Sequence, residues 1–335
     1  MSGPQKLVLV SGATGALGPR VVGALHEIGM SIRTLSMDAP SPGLLPLTIE
    51  TQIGDITDVN AVQTAMSGVD AVVHMAALLH IVNPPLSLRP QYERINVEGT
   101  RIVVEAALNA GVQRLVFFST IAVYGYGQGR LLTEDSIPHP DTFYAETKLA
   151  AEQIVLAARR ADGQPLGVVL RLGAVYGARI KGNYQRLVRA LARNRFLPIG
   201  KGENRRTLVY DKDVARAVLL AVQHPAAAGR VYNVTDGELH TVREINQAIC
   251  TALGRKPPGV YLPVAPVRAA AGLVEDTARL LRRQSPIGRA TIDKYTEDVA
   301  VDGQRIQTEL GFRPAYDLVT GWADAVQEMR RQGAL

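Results

Sequence analysis

The sequence predicts an α/β protein, with a doubly wound parallel sheet followed by a smaller, mostly C-terminal lobe. The main observation is that six short apolar runs alternate with helical patterns over the first 175 residues. The runs are rich in β-branched residues and apolar on both faces, as expected of parallel strands that helices cover on both sides. They are KLVLV (6–10), SIRTL (31–35), IETQI (49–53), DAVVHM (70–75), RLVFFS (114–119) and GVVLRL (167–172).

A second observation is that this alternation stops. From about residue 176, strands become sparse while prolines and glycines increase. We therefore expect residues 1–175 to form the sheet domain, with residues 207–235 returning to it. Residues 176–206 and 236–335 are expected to form the second lobe, which would bind the substrate.

Composition and charge restrict the function. The net charge is +6, from 37 basic and 31 acidic residues, and the sequence has no zinc-finger spacing, aromatic-rich RNA-binding strand or long basic tail. The basic excess therefore favours a small phosphorylated substrate, and no nucleic-acid partner is expected. The six histidines are scattered without ligand spacing, so no metal is expected.

The single cysteine and the apolar runs indicate the compartment. Cys250 lies among apolar residues in INQAICTALG, which predicts a buried helix position and excludes an internal disulfide. No uncharged apolar run approaches the roughly 18 residues that cross a bilayer. Because no export signal is visible at the N-terminus, we expect a protein of the reducing cytoplasm.

A glycine-rich turn follows the first predicted strand. In SGATGALG (11–18) the glycines are Gly12, Gly15 and Gly18. Such glycines allow a tight turn, let the backbone approach a pyrophosphate and let the next helix pack on the sheet. Because the motif lies between a strand and a helix, it predicts a Rossmann dinucleotide site. The other cofactor-binding residues predicted in this turn are Thr14, Ala16 and Leu17.

Further cofactor contacts are predicted at the ends of the next three strands, because ligands bind beyond the carboxyl ends of such a sheet. Ser36 takes the position at which an acid would bind the ribose 2′-hydroxyl, and Asp38 follows two residues later. The nearest bases are Arg20 and Arg33, neither of which follows the strand directly, so NAD is favoured and NADP stays open. The remaining contacts predicted here are Asp55, Ile56, Met75, Ala76 and Ala77.

A tyrosine and a lysine lie four positions apart in FYAETK (143–148). Residues at this spacing share one face of a helix, so Tyr144 and Lys148 can point into one cleft. A lysine beside a phenol stabilises the phenolate, so we expect Lys148 to stay charged and to lower the pKa of Tyr144. The pair therefore predicts proton transfer to and from an alcohol.

Together these motifs resemble the extended short-chain dehydrogenase/reductases, and within them the nucleotide-sugar epimerase/dehydratase group. The resemblance covers most of the chain and rests on GATGALG, GDITD (54–58), HMAA (74–77), INVEGT (95–100), FFSTIAVYG (117–125) and YAETK. It implies that Tyr144 transfers the proton, that Lys148 also holds the nicotinamide ribose and that Thr120 orients the substrate. It also places Asn96 and Ser119 among the cofactor-binding residues.

The stretch STIAVYG restricts the type of reaction that the chain is expected to catalyse. Family dehydratases have an acid and a base beside the threonine, whereas this chain has Ile121 and Ala122, which cannot move protons. The resemblance therefore disfavours dehydration and favours a 4-epimerase that acts on a nucleotide-diphosphate sugar. A reductase of 4-keto sugars from surface-polysaccharide pathways stays open, since ELGFRPAYDLVTGW resembles such enzymes.

The second lobe supplies two candidate substrate-binding residues. Asn183 starts a predicted helix where relatives touch nucleotide phosphates, and Arg206 takes the place of a diphosphate-binding arginine, whose planar fork suits phosphate oxygens. After the sixth predicted strand, where the family often has an asparagine, this chain has Gly173 and Ala174. A dehydrogenase of a sterol-like or phenolic alcohol stays open, as does a dinucleotide-binding sensor without activity.

Apolar patterns in two further parts of the chain predict a helix of the second lobe and a dimer interface. Residues 264–281 carry apolar side chains at helical spacing with arginines nearby, which favours a core or lid helix and leaves a membrane-surface helix open. Apolar residues beyond those needed for one sheet face lie on the helices around 91–110 and 144–160, where the family forms a homodimer. They include Ile102, Val103, Leu149 and Ile154.

Overall fold

The computed structural model describes residues 6–79, 81, 84–281, 285 and 288–335. Its centre is a seven-stranded sheet in which every neighbouring pair is parallel. All six predicted strands belong to it, and the predicted fold class is confirmed. In chain order the strands of this sheet are β1 (Leu7–Ser11), β2 (Ser31–Ser36), β3 (Glu50–Ile53), β4 (Ala71–His74), β5 (Arg114–Thr120), β7 (Gly167–Leu172) and β11 (Val231–Val234).

Helices cover both faces of the sheet and build most of the second lobe. Over the described residues they are α1 (Gly18–Glu27), α2 (Val59–Met66), α3 (Arg89–Tyr92), α4 (Gly99–Asn109), α5 (Phe143–Ala157), α6 (Asn183–Ala192), α7 (Asp211–Gln223), α8 (Val242–Leu253), α9 (Val264–Leu280), α10 (Arg289–Thr296), α11 (Gln304–Leu310) and α12 (Leu318–Arg331).

Short strands link the two parts of the chain. They are β6 (Leu131–Leu132), β8 (Ala174–Tyr176), β9 (Arg205–Arg206), β10 (Leu208–Tyr210), β12 (His240–Thr241) and β13 (Ala300–Val301). They pair as β8 with β10, β9 with β12 and β6 with β13. The stretch 207–235 thus contains β10, which pairs outside the central sheet, and β11, which is an edge strand of that sheet. The predicted domain boundaries themselves stay a prediction.

The strand order fixes where a ligand can bind. The order is β11-β7-β5-β4-β1-β2-β3, so the chain continues to one side of β1 through β2 and β3 and to the other side from β4 onward. In open parallel sheets, ligands bind outside the carboxyl ends of the strands at such a point of reversal. The glycine-rich turn after β1 and the residues after β4 meet there.

Alternation along the strands builds a hydrophobic core on each face of the sheet. Val8 and Val10 of β1 pack with one cluster, which includes α1 and α7 residues, while Leu9 packs with the other, which includes α2, α4 and α5 residues. All three side chains are almost fully buried. This two-sided burial explains why the strands read as continuous apolar runs.

The second lobe has a core of its own, built around aromatic rings. Trp322 of α12 stacks on Tyr176 of β8 with ring centroids 4.3 Å apart and an interplanar angle of 22°. A Cβ at Gly321 would lie 2.0 Å from the Tyr176 hydroxyl, so only glycine permits this approach. Cys250 of α8 is buried in the same core, as predicted.

Helix α9 lies at the surface of this lobe, where it packs against α10. Of the predicted apolar stripe, Ala271 is buried, whereas Val274 and Leu281 are 42% and 62% exposed. The expectation of a core helix is therefore wrong for the outer part of the stripe. Arg282 and Arg283 lie outside the described residues. No described helix has the length and apolar character needed to cross a membrane.

Candidate active site

The glycine-rich turn brings the end of β1 into contact with the residues after β4. Gly12 has φ +76°, and a Cβ at this position would lie 2.9 Å from the backbone nitrogen of Ala76. Ser11 Oγ accepts hydrogen bonds from the backbone N–H groups of Met75 (3.2 Å) and Ala76 (3.3 Å). This backbone cradle fits the close approach that a dinucleotide pyrophosphate requires.

The other two glycines of the motif are constrained by the turn itself. A Cβ at Gly15 would lie 3.0 Å from the Gly12 carbonyl oxygen, and one at Gly18 would lie 1.9 Å from the Ala13 carbonyl oxygen. Helix α1 begins at Gly18, as the motif predicts. Ala16 and Leu17 are half-buried in the turn, so its surface toward the crevice is mainly backbone.

Next to this turn is a cavity of about 510 Å³. Thr14 of the turn and Asp38 after β2 line it, which brings two predicted cofactor residues together. Arg179 of the second lobe also lines it, and its Nε is buried without a hydrogen-bond partner in the described part of the chain. Sequence reasoning missed Arg179 because nothing near it in the chain marks it as part of this site.

The bases that the sequence suggested for this cavity point elsewhere. Arg20 pairs with Asp211 and Glu328. Arg33 pairs with Glu50 and donates to the Ala65 carbonyl at 2.9 Å. Neither residue lines the cavity.

Three residues that are predicted to contact the cofactor make their observed contacts within the protein. The buried Ser36 Oγ accepts a hydrogen bond from the Thr14 backbone N–H at 3.4 Å, so it connects β2 to the turn. Asp55 Oδ1 accepts from the Thr57 backbone N–H at 2.9 Å. Ile56 is 5% exposed and its side chain packs in the core, so its predicted contact with the cofactor would be made by its backbone. Ala77 is half-buried after β4.

Asn96 positions the chain after β4. Its Oδ1 accepts from the Leu78 backbone N–H at 2.7 Å, and its Nδ2 donates to the Leu78 carbonyl and to Thr147 Oγ1, each at 3.1 Å. Both amide hydrogens are therefore used within the protein. These contacts hold the chain after β4 against α5, and a contact of Asn96 with the cofactor stays a prediction.

The three predicted catalytic residues lie on β5 and α5. Thr120 ends β5, and its Oγ1 accepts from the Ala122 backbone N–H at 3.1 Å, which leaves the hydroxyl proton available for a ligand. Tyr144 and Lys148 lie one turn apart on α5, whose N-terminus is capped by Thr142. The Lys148 ammonium lies 3.9 Å from the centre of the Phe117 ring on β5.

Burial dominates the acid–base properties of this pair. It raises the pKa of Tyr144 to about 12, with a smaller contribution from Tyr92. Burial also lowers the pKa of Lys148 to about 7, against the opposing charge of Glu152. The expectation that Lys148 lowers the pKa of Tyr144 below its ordinary value is therefore wrong, because burial, which disfavours the phenolate, is the largest cause of the shift.

A buried polar network lies behind the catalytic residues, and sequence reasoning missed it. Ser119 Oγ donates to Glu152 Oε1 at 2.5 Å, so the hydroxyl faces inward and the predicted contact of Ser119 with the cofactor would be made by its backbone. Glu152 forms an ion pair with Arg171 of β7. Arg171 donates to the Tyr124 hydroxyl at 2.9 Å, which donates to Asn233 Oδ1 at 2.8 Å.

A second buried network holds the end of β4. His74 is fully buried, and its Nδ1 and Nε2 lie 2.6 Å from Ser11 Oγ and 3.1 Å from Thr100 Oγ1. Burial, reinforced by the charge of Lys148, lowers the pKa of His74 to about 3. Because Ser11 Oγ also accepts two N–H groups, its proton is directed to Nδ1, which assigns a neutral ring protonated on Nε2.

The predicted substrate residues differ in their surroundings. Asn183 is exposed at the first position of α6, as predicted. The terminal nitrogens of Arg206 donate to the carbonyls of Lys294 (2.7 Å), Tyr295 (2.9 Å) and Glu297. These contacts leave Nε and one terminal hydrogen for a ligand. The predicted contact of Arg206 with a diphosphate stays a prediction, and a fork from both terminal nitrogens would compete with these carbonyls.

The described residues contain no group of three or more His, Cys, Asp or Glu side chains that could hold a metal ion. The site is thus built from a glycine cradle, a cavity with Arg179, and a threonine, a tyrosine and a lysine at the ends of β5 and α5. These side chains suit the exchange of a proton with an alcohol or carbonyl oxygen.

Comparison with known proteins supports the geometric picture. Residues 8–235 match the model of the NAD dependent epimerase/dehydratase family. The N-acetyl-alpha-D-glucosaminyl-diphospho-ditrans,octacis-undecaprenol 4-epimerase of Escherichia coli O157:H7 is 26% identical over 94% of this chain and 92% of the relative. A 3-beta-hydroxysteroid dehydrogenase of Mycolicibacterium neoaurum is 29% identical over 76% of this chain and 72% of the relative. The solved structure of MoeE5 in complex with UDP-glucose and NAD is 28% identical, with a TM-score of 0.76 over 97% of this chain and 99% of MoeE5.

Proposed function

Since the chain belongs to the NAD dependent epimerase/dehydratase family, we propose that it transfers a hydride at C4 of a nucleotide-diphosphate sugar and acts as a 4-epimerase. The observation that carries the proposal is the placement of Thr120 at the end of β5 and of Tyr144 and Lys148 one turn apart near the start of α5. Ile121 and Ala122, which follow Thr120, cannot supply the acid and base that a dehydration needs.

The family cofactor is NAD, and the residues of this chain fit it. Gly12, Gly15 and Gly18 would hold the pyrophosphate against the turn, while Asp38 and Arg179 would face the adenosine half from the 510 Å³ cavity. Lys148 would hold the nicotinamide ribose. When bound, NAD supplies the carbon that accepts and returns the hydride.

The side chains provide the proton chemistry. Tyr144 accepts the proton of the C4 hydroxyl as the hydride leaves the same carbon, and Thr120 donates a hydrogen bond to the oxygen. Because burial opposes ionisation of Tyr144, a nearby positive charge is needed to make it a base, and Lys148, one turn away on α5, supplies that charge in its protonated form. Return of the hydride to the other face of the 4-keto sugar, with Tyr144 giving back the proton, completes an epimerisation.

The test is a panel of purified nucleotide-sugars, each incubated with the protein and a trace of NAD and followed by proton NMR. A 4-epimerase produces the C4 epimer of one sugar without net formation of NADH. A reductase of 4-keto sugars, which uses the same residues, instead consumes NADH and releases the alcohol. A sensor without activity changes no sugar while still binding NADH.

A second candidate, a dehydrogenase of a sterol-like alcohol, has its own support. Leu79 and Ile81, which follow β4, are 64% and 40% exposed. Tyr92 holds this segment in place through its hydroxyl, which donates to the Leu79 carbonyl and accepts from the Ile81 N–H. Because the ring of Tyr92 packs edge-on against Phe143 at the start of α5, the segment lies beside the catalytic helix. Formation of NADH from a hydroxysteroid, with no sugar product, would favour this candidate.

The homodimer that the family resemblance implies is also proposed, but the apolar residues of α4 and α5 that the sequence points to pack within the chain. Ile102 and Val103 are buried in the core, Ile154 packs against that core, and Leu149 packs beside Val123. An interface on α4 and α5 would therefore use other residues. Light scattering at tens of micromolar protein tests this, and a monomer there would remove the proposal.

A further inference from the structure

A buried ion pair lies one helical turn beyond Lys148 on the side away from Tyr144. Glu152 of α5 and Arg171 of β7 are 1% and 5% exposed. Arg171 Nε lies 3.0 and 3.2 Å from the two carboxylate oxygens, and its Nη2 lies 2.6 Å from Oε2. The contact is bidentate, which is the strong and geometrically specific form of this pair.

Glu152 also fixes the strand that carries Thr120. Its Oε1 accepts the hydroxyl of Ser119, the residue before Thr120 on β5. Arg171 reaches the other side of Thr120, because it donates to Tyr124, the last residue of the turn that Thr120 caps. The pair thus holds the backbone on both sides of Thr120.

The surroundings of Lys148 give Glu152 a second role. Tyr144 lies one turn before Lys148 on α5. The charge of Glu152 acts on Lys148 from the same helix, the Phe117 ring lies against it from β5, and its own charge acts on His74 of β4. Near pH 7 His74 is neutral and Tyr144 is protonated, because their pKa values are about 3 and about 12. Glu152 is then the group whose negative charge favours protonated Lys148 against the effect of burial. Arg171 lies on the other side of Glu152 and pairs with its carboxylate.

Stability alone is a poor reason for such a pair. Taking two charges out of water is costly, and replacing a buried pair with apolar residues of similar volume is often neutral or stabilising. We propose that Glu152, clamped by Arg171, is a positioning residue that favours the charged form of Lys148 and fixes the end of β5 on which Thr120 lies. Its relevance to catalysis rests on the proposed function, whereas its effect on Lys148 does not.

The proposal can be tested by NMR titration of Lys148 in protein labelled with ¹³C-lysine, since the Cε shift reports the charge of the ammonium group. The Lys148→Met variant identifies the signal. In the unmodified protein we expect a midpoint near pH 7, following the lowered pKa. In Glu152→Gln we expect the midpoint to fall by roughly one pH unit or more, as for the loss of an adjacent opposite charge.

A matched control separates this effect from a general loss of packing. Asp213 is a fully buried carboxylate on α7 that accepts the N–H groups of Ala315 and Tyr316 in another part of the molecule. We expect Asp213→Asn to lower the stability as well but to leave the Lys148 midpoint in place. An equal shift in Glu152→Gln and Asp213→Asn would overturn the proposal, because it would make the effect one of packing.

A second variant covers the case in which Glu152→Gln does not fold because Arg171 is left unpaired. The double variant Glu152→Gln/Arg171→Met removes both charges of the pair. We expect it to fold and to show a lowered Lys148 midpoint, though by less, because the repulsive charge of Arg171 is also lost. A midpoint unchanged from the unmodified protein in whichever variant folds would overturn the proposal. Neither titration uses a sugar, so a failure of the proposed function would not affect the result.

Discussion

Arg179 and Asp38 line the same cavity although they come from different lobes of the molecule. Asp38 follows β2 of the central sheet, whereas Arg179 follows β8. The Nε of Arg179 is buried there without a hydrogen-bond partner among the described residues. A buried donor without a hydrogen-bond partner lowers the stability of the fold, and a bound anion or water usually satisfies such a donor. The second lobe therefore contributes a positive charge to the cavity next to the glycine cradle.

The first prediction follows from this position. Arg179→Ala should weaken the binding of NADH by about tenfold, because a hydrogen bond to a charged group contributes about 1.5–3 kcal/mol. The measurement is a fluorescence titration of NADH, with circular dichroism as a check of folding. Arg33→Ala is the matched control, since Arg33 contacts Glu50 and the Ala65 carbonyl away from the cavity. Equal affinities of the two variants would exclude Arg179 from the cofactor site.

Tyr144→Phe should abolish turnover while leaving the affinity for NADH nearly unchanged. The ring stays in place and only the oxygen that carries the proton is lost, and such a group contributes about 10²–10⁴-fold to the rate. Steady-state kinetics and the NADH titration measure the two quantities separately. Tyr126→Phe, at a tyrosine that is 60% exposed, serves as the control. Activity within about tenfold of the unmodified enzyme would remove Tyr144 from its assigned role.

Arg206→Ala should act on stability as well as on substrate binding. Arg206 donates to three carbonyls at the end of α10, so its loss should lower the free energy of unfolding by about 1–3 kcal/mol. The KM for a nucleotide-sugar should rise by about tenfold at most, since Nε is the principal donor left for a phosphate. Urea unfolding and kinetics measure the two effects.

The control for this variant is Arg205→Ala, because Arg205 pairs with Asp298 in the segment between α10 and β13. If Arg206→Ala leaves the stability unchanged and raises KM by about two orders of magnitude, the carbonyl contacts contribute little to stability. Arg206 then binds the diphosphate through a forked contact.

The buried His74 should make the protein less stable in acid. Its pKa is about 3 in the folded protein against an ordinary value of 6.5, so the unfolded chain binds the extra proton between these values. Stability is therefore fully present above about pH 6.5 and falls as the pH drops toward 3. His74→Gln should be less stable at pH 7, where it loses the contacts of the ring, but should show a flatter decline between pH 6.5 and 4.

Urea unfolding at a series of pH values measures this slope. The exposed His26, substituted by Gln, is the control and should keep the slope of the unmodified protein. A slope in His74→Gln equal to that of the unmodified protein would show that other groups cause the acid sensitivity.

The sequence predicted the sheet, the glycine turn and the catalytic helix well because their signals are local. Strand β7, for example, appears as an apolar run that matches its observed bounds, and the spacing of Tyr144 and Lys148 follows from helical geometry alone. Each of these features depends on residues within a few positions of one another.

The roles of other side chains depended on neighbours that are distant in the chain. Asn96 looked like a cofactor residue, but its amide is taken by Leu78 and Thr147. Arg206 looked free to bind a diphosphate, but α10 supplies carbonyls to both of its terminal nitrogens. Desolvation of Tyr144 likewise arises from the whole fold, so the sequence could indicate a charge partner but not the environment that opposes it.

The central claim is that a hydride leaves and returns at C4 of a nucleotide-sugar. The most direct measurement follows a deuterium label at C4 in a panel of such sugars, incubated with the protein and a trace of NAD and analysed by NMR and mass spectrometry. We predict that one sugar is converted to its C4 epimer with the deuterium still at C4 and without net formation of NADH. No epimer from any sugar of the panel, or a product made only as NADH is consumed, would contradict the account.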